Sequence, residues 1–296
     1  MLTRVLIIFC MTNLFSCKEE KHLSDASGSF EAVETIVSAE ANGKIMQFNV
    51  NEGDTLGEGQ LLGYIDSTQL HLNKLQLLQS RKTILSARPN INVQLEATKK
   101  ELNNAQLDKS RIENLVRGGV AGQKQLDDIN SKIAVLNSRL EAQQSTLRTT
   151  TTNIDEQGNN VYTQLSILQD QLAKCRIINP VKGTVLVKYA ETSEMAIMGK
   201  PLYKIADLSS IILRAYVTGD QLPQIKLNQF VKVLTDDGKG GYHEGQGKIT
   251  WISNTAEFTP KTIQTKNERA NLVYAVKVVV PNDGRYKIGM YGEIKL

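Results

Sequence analysis

Residues 36–66, IVSAEANGKIMQFNVNEGDTLGEGQLLGYID, and residues 176–208, RIINPVKGTVLVKYAETSEMAIMGKPLYKIADL, are two variants of one short β unit. Each runs from a small apolar strand through a Gly turn (Gly43, Gly183) into a second strand. A polar turn follows, Glu52-Gly53-Asp54 in one and Glu191 to Glu194 in the other. Then come a further Gly (Gly59, Gly199) and an apolar run that closes on an Asp (Asp66, Asp207). Turn residues bounding short apolar runs at matching places make each stretch half of a β-sandwich. The segment between them has no strand character and carries a long heptad pattern. The expected fold is mixed α+β and elongated, a sandwich split by a coiled-coil hairpin.

In the second arm of that hairpin, Leu126, Ile133, Leu140, Leu147, Ile154, Val161 and Leu168 recur at heptad spacing, with Ile129, Leu136, Leu165 and Leu172 as companions. The first arm places Leu70, Leu77, Ile84, Ile91, Thr98, Ala105 and Ile112 in the same way, beside Leu95, Leu102 and Val116. A sustained period of about 3.5 residues argues for two supercoiled helices. Ser67-Thr68 are placed to cap the first arm and Gly118-Gly119 to end it. The arms, 67–117 and 123–175, are nearly equal and at about 1.5 Å per residue each reaches roughly 75 Å. Equal arms joined by the short Gly118–Gly122 turn return to their origin, so the two β halves can reunite. Pro89 interrupts the first arm, and Gly158-Asn159-Asn160 softens the second beside the polar seam positions Gln143, Thr150 and Gln157. Two readings of these irregularities stand: a kink or joint at one height, or a frayed coiled coil.

Residues 209–296 hold five strand-like runs, 211–217, 230–234, 247–252, 272–280 and 291–296, separated by turn signals such as Pro281-Asn282-Asp283-Gly284. They indicate a small β-barrel, with a short helix over Gln221–Asn228.

The start of the chain gives its location. Arg4, an apolar stretch too short to span a bilayer, and Leu14-Phe15-Ser16-Cys17 fit a signal peptide over 1–16 with lipid attachment at Cys17. An uncleaved anchor with an incidental Cys is the alternative. Residues 17–35 read as a tether, polar as far as Ser29, and a first strand. Cys10 leaves with the signal peptide and Cys17 carries lipid, so Cys175 stands alone and reads as a packed small hydrophobe. The net charge of +4 comes from 35 basic and 31 acidic residues interspersed along the chain, which excludes a nucleic-acid footprint. His22, His71 and His243 stand apart and no catalytic or phosphate-binding motif occurs. An enzyme is therefore not expected, and no metal or cofactor.

The order of these parts resembles the periplasmic adaptors, or membrane fusion proteins, of the haemolysin D (HlyD) type. Ala41-Asn42-Gly43-Lys44-Ile45, Val50 to Leu56 and Asn179 to Val185 are similar to that family's two lipoyl half-motifs. Glu257 to Lys261, Thr265, Glu268-Arg269 and Leu272 to Lys277 resemble adaptors of ABC-type exporters. The resemblance implies a lipoyl-like sandwich over 36–66 and 176–208, a hairpin over 67–175 and a barrel over 209–296. It also implies a ring-forming homo-oligomer, a hexamer, set between an inner-membrane ABC permease and ATPase and an outer-membrane TolC-like duct. Such a protein is periplasmic in a Gram-negative envelope, lipid-anchored to the inner membrane.

At the tip, many such adaptors carry Arg, then Leu four residues on and Ser seven further. Arg111 and Leu115 match, but the Ser position holds Gly122. The resemblance assigns these three to duct docking and Phe258, Pro260, Lys261, Arg269 and Tyr274 to a transporter-facing part of the barrel. Solvated arm residues and a strand crossing are the plainer readings. A lipoate or biotin carrier needs a Lys on the hairpin joining its halves, and Asp66-Ser67-Thr68 offers none. A proton-driven pump's adaptor and a purely structural coiled-coil lipoprotein remain the other classes.

Overall fold

The computed structural model describes residues 24–258 and 272–296. Five strands come first among the described residues: β1 (Ala26–Glu31), β2 (Glu34–Ser38), β3 (Gly43–Phe48), β4 (Thr55–Leu56) and β5 (Leu61–Ile65). Helices α1 (Thr68–Ser86), α2 (Ile91–Arg117) and α3 (Gln123–Lys174) form the hairpin. Then come β6 (Arg176–Ile178), β7 (Gly183–Lys188), β8 (Met195–Ala196) and β9 (Pro201–Ala206). The chain finishes with β10 (Ser210–Thr218), β11 (Phe230–Asp236), β12 (Tyr242–Ile252), β13 (Glu257–Phe258), β14 (Leu272–Pro281) and β15 (Tyr291–Lys295). The proposed signal peptide and Cys17 lie outside the described residues, as do Pro260, Lys261 and Arg269.

The sandwich is stitched from both halves. Its sheets run β2-β9-β7-β4 and β6-β5-β3-β8, so each mixes two strands from before the hairpin with two from after it. The mixing follows an internal two-fold: β4 pairs with β7 as β8 pairs with β3, and β2 pairs with β9 as β6 pairs with β5. Turn positions obey the same symmetry. Gly53 and Ser193 both adopt positive φ, as do Gly59 and Gly199, which explains the glycines and marks Ser193 as the strained member. Gly43 and Gly183 each lie against a backbone carbonyl, that of Asp66 in one half and of Ala206 in the other, where a side chain would collide. Ile45, Leu62, Ile65, Leu202, Tyr203 and Ile205 are fully buried between the sheets, each contributing about 1.5–3 kcal/mol.

The barrel closes through β10-β1-β15-β11-β12-β14 and back to β10, with β13 hung on β14. Burial alternates strictly along β10, with Ile211, Leu213, Ala215 and Val217 inside. One expectation is corrected here. Residues 26–29, read as the end of a polar tether, belong to β1, which pairs with β10 and β15 and closes the barrel. The reason is crowding: Gly28 faces Gly292 across the ladder, and a Cβ on Gly28 would sit 1.9 Å from the Arg214 carbonyl oxygen. The strand therefore needs small residues and shows only Phe30 as an apolar signal, a ring buried against Tyr286 at 4.9 Å between centroids.

The hairpin is built of one unbroken arm and one jointed arm. Helix α3 runs through 52 residues, whereas the first arm stops at Ser86 and restarts at Ile91 around Pro89. Asn90 recaps α2 by accepting from the Val93 N–H at 3.2 Å. Gly158 lies opposite that joint, and a Cβ there would come 2.8 Å from Leu85 Cδ2. The glycine thus admits the end of α1 while α3 stays unbroken. Arg88 and Asp155 bridge the same level at 2.6 Å. The cap of α1 is also corrected. The Ser67 side chain makes no cap bond, while the Asp66 carboxylate accepts from the Thr68 N–H at 2.9 Å and from the Thr68 hydroxyl at 2.6 Å. Those bonds hold the Asp66 carboxyl below its usual range.

Candidate functional site

The molecule has two ends that could meet partners and a junction that holds them in relation. The junction is the sandwich, tied by a buried polar knot. The Tyr203 hydroxyl donates to Asn179 Oδ1 at 2.9 Å, and Asn179 Nδ2 donates to the carbonyls of Gly57 at 2.7 Å and Val181 at 2.6 Å. Asn179 and Tyr203 have no solvent exposure, and burial pushes the Tyr203 hydroxyl far above its usual pKa. One side chain from after the hairpin thus satisfies the backbone of both halves. Cys175, at the base of α3, is buried and its thiol is pushed up by that burial and by the Asp66 carboxylate, which fits a packing role.

At the far end, the tip is a Schellman turn. The Val120 N–H bonds back to the Leu115 carbonyl at 2.8 Å and the Gly119 N–H to Val116 at 3.0 Å, with Gly119 at φ +72. A small core of Ala105, Ile129 and Leu136, with Leu102, Ile112, Leu126 and Ile133 around it, fixes the two helices just below. That core leaves Leu115 at 47% and Val120 at 78% exposure, with nothing among the described residues to cover them. Arg111 lies one turn before Leu115, exposed and held by Asp108 at 3.2 Å. Gly122 precedes α3 in an ordinary extended conformation and offers no cap, and the space a Cβ would enter is open. The tip therefore brings Arg111 and Leu115 onto one helix face, with Gly122 across the turn. Val120 was not singled out from sequence, although an apolar residue inside a glycine turn was the available signal.

At the other end, the barrel wall carries a cationic and aromatic strip. Arg214 and Lys277 face each other across β10 and β14, a like-charged pair that would oppose the ladder unaided. Each takes its own carboxylate, Glu257 at 3.2 Å for Arg214 and Glu31 at 3.0 Å for Lys277. Lys277 also sits 5.8 Å over the Trp251 ring and Arg214 6.0 Å from that of Tyr216. Tyr274 is half-buried and packs on the barrel core, and Phe258 is exposed beside Leu272. None of these four charges was legible as paired, because each partner lies on a different strand.

A family model described as "RND MFP, barrel-sandwich hybrid domain" matches residues 33–207, the sandwich and the hairpin within it. The chain belongs to this family of membrane fusion proteins. Its members are periplasmic adaptors rather than enzymes. The "UPF0194 membrane protein in asrC 5'region" of Acidithiobacillus ferridurans is 25% identical over 284 residues, covering 89% of this chain and 83% of that protein. The UPF0194 membrane protein YbhG of Salmonella gallinarum is 26% identical, covering 88% and 84%. The crystal structure of MacA from Actinobacillus actinomycetemcomitans superposes with a TM-score of 0.53 at 22% identity, covering 91% of this chain and 76% of that one, and so shares the fold. No helix among the described residues is long and apolar enough to cross a membrane.

Proposed function

We propose that this membrane fusion protein is the lipid-anchored adaptor of an ABC-type exporter, joining an inner-membrane permease and ATPase to an outer-membrane TolC-like duct. The observation that carries the adaptor role is the pair of opposed ends. A long hairpin leaves and re-enters one sandwich, its exposed Leu115 and Val120 are held on a rigid turn, and a closed barrel stands at the other side of the junction. Such a molecule relays a displacement and performs no covalent chemistry. The ABC assignment rests on the likeness of the barrel stretch around Glu257 to Lys261 and Leu272 to Lys277. In this reading Arg111, Leu115 and Gly122 dock the duct, Phe258, Pro260, Lys261, Arg269 and Tyr274 serve the transporter contact, and Cys17 carries the lipid. Several copies, six by family likeness, form a ring in the periplasm. A proton-driven pump is the second reading, favoured by the description of the matching family model.

Crosslinking intact membranes, purifying the C-terminally tagged protein and identifying its partners by mass spectrometry tests both. Recovery of a permease with its ATPase is expected. Recovery of a proton-driven pump would replace the engine and keep the adaptor, and recovery of neither would overturn the role.

A further inference from the structure

Where the hairpin leaves the sandwich, the ends of α1 and α3 and the outer surface of β5 bound an open groove of about 510 Å³. Its floor is apolar. Leu61 and Tyr64 stand outward from β5, 52% and 45% exposed, and Leu172 and Ala173 close one side from the last turns of α3. These elements are fixed by the core beneath them, through Leu62, Ile65 and Cys175, so the groove is built by the fold and left uncovered.

The rim is cationic. His71 and Lys74 lie one turn apart on α1, and Arg176 stands opposite Tyr64 in the ladder of β5 and β6. Ser67 and Gln169 complete the rim, and the Ser67 hydroxyl makes no bond to the helix it precedes. No carboxylate among the described residues lines the groove. The acids nearest along the chain are committed elsewhere, Asp66 to the Thr68 N–H and hydroxyl and Asp170 to Lys174 at 2.7 Å. Lys74 and Arg176 are left without an ion-pair partner among the described residues. The internal two-fold shows that this is no general property of the sandwich. In the other half Lys204 and Ile36 occupy the places of Tyr64 and Arg176, and there the cation is neutralised by Glu34 at 2.8 Å.

We propose that this groove binds a small, freely diffusing anionic amphiphile, an apolar body carrying one sulfate, phosphate or carboxylate group. The body lies on Leu61, Tyr64 and Leu172, and the anionic end meets Lys74, Arg176 and His71. The volume is that of a small-molecule site, with an apolar lining and a few convergent polar groups. A neutral apolar molecule leaves both cations unused, and a cationic one is repelled by them. The inference uses only the junction of hairpin and sandwich, and so stands apart from the class of transporter and from the tip.

The purified full chain is irradiated with a decyl sulfate that carries a terminal diazirine, and in parallel with the matching alcohol and trimethylammonium compounds, all below their micelle concentrations. Mass spectrometry then locates the labelled peptides. Saturable labelling by the sulfate in the stretches 61–74 and 169–176 is expected, well above that by the other two. Lys74→Gln and Arg176→Gln should each weaken it about threefold and together about tenfold. Lys204→Gln, on the equivalent surface of the other half, should change nothing. Lys74→Met and Arg176→Met remove the same charges should a Gln variant fail to fold. Equal labelling by the alcohol overturns the assignment, since the groove is then an apolar surface alone. Labelling that ignores the Lys74 and Arg176 variants, or that responds as strongly to Lys204→Gln, overturns it too. Absence of label from both stretches leaves the groove to a protein partner and excludes the ligand. None of these outcomes touches the adaptor reading.

Discussion

The sandwich and the hairpin interrupt one another in sequence, yet they are held together by opposite means. The sandwich closes sixteen buried residues into one core and crosses its halves at every sheet. The hairpin is two arms in contact along a single seam, and α1 buries no residue fully. Two arms enclose few side chains, so Leu95 and Ala105 are buried while heptad positions such as Leu77, Leu126 and Leu147 stay half-buried. The sandwich therefore fails as a unit when one interior group is removed, whereas the hairpin takes damage locally. A lever needs both properties, a junction that does not yield and an arm whose faces stay available.

The sharpest way to break this contrast is Asn179→Ala. It leaves the Tyr203 hydroxyl buried without a partner, at about 1–3 kcal/mol, and takes one bond each from the part-buried carbonyls of Val181 and Gly57, the latter keeping the Gln60 N–H at 3.4 Å. Chemical denaturation should show the sandwich core losing about 2–4 kcal/mol, and hydrogen exchange should rise in β5, β7 and β9 together. A loss below about 1 kcal/mol would mean that water replaces the amide and that the junction is softer than described. An intermediate effect is expected for Gly158→Leu. The added side chain meets Leu85, and overpacking of this kind costs about 1–3 kcal/mol. Exchange should quicken around 80–92 and 150–162 while the sandwich keeps its protection. If protection fell in both regions, the arm and the junction would be one cooperative unit.

The smallest effect is expected at the tip. Gly122→Ser places a hydroxyl where α3 has no side-chain cap and where the space is open, which should stabilise the helix by a few tenths of a kcal/mol. Helicity and thermal melting should rise slightly. In the proposed role, duct crosslinking through the tip should increase as well. Unchanged melting with stronger crosslinking would make the hydroxyl a docking group rather than a cap.

Much of this architecture is written in local sequence. The repeated Gly-turn units, the heptads and the alternating runs of 211–217 and 272–280 each report their own element, because periodicity and turn chemistry act over a few residues. Residues 26–29 do not read as strand because β1 is specified by absence of bulk at Gly28, a demand made by strands far along the chain. Asn179 was visible as part of a motif but not as a knot, since its partners Gly57 and Tyr203 are fixed only when the halves meet. Pro89 and Gly158 were seen as parallel weak points. Packing made one a joint and the other the gap that receives Leu85. The same holds for Arg214 and Lys277, whose carboxylates come from separate strands. Sequence alone thus determined the parts and their order, through short-range pattern. Tertiary structure decided which small residues are structural, which polar groups are buried and which apolar ones stay exposed, because those depend on neighbours brought together only by folding.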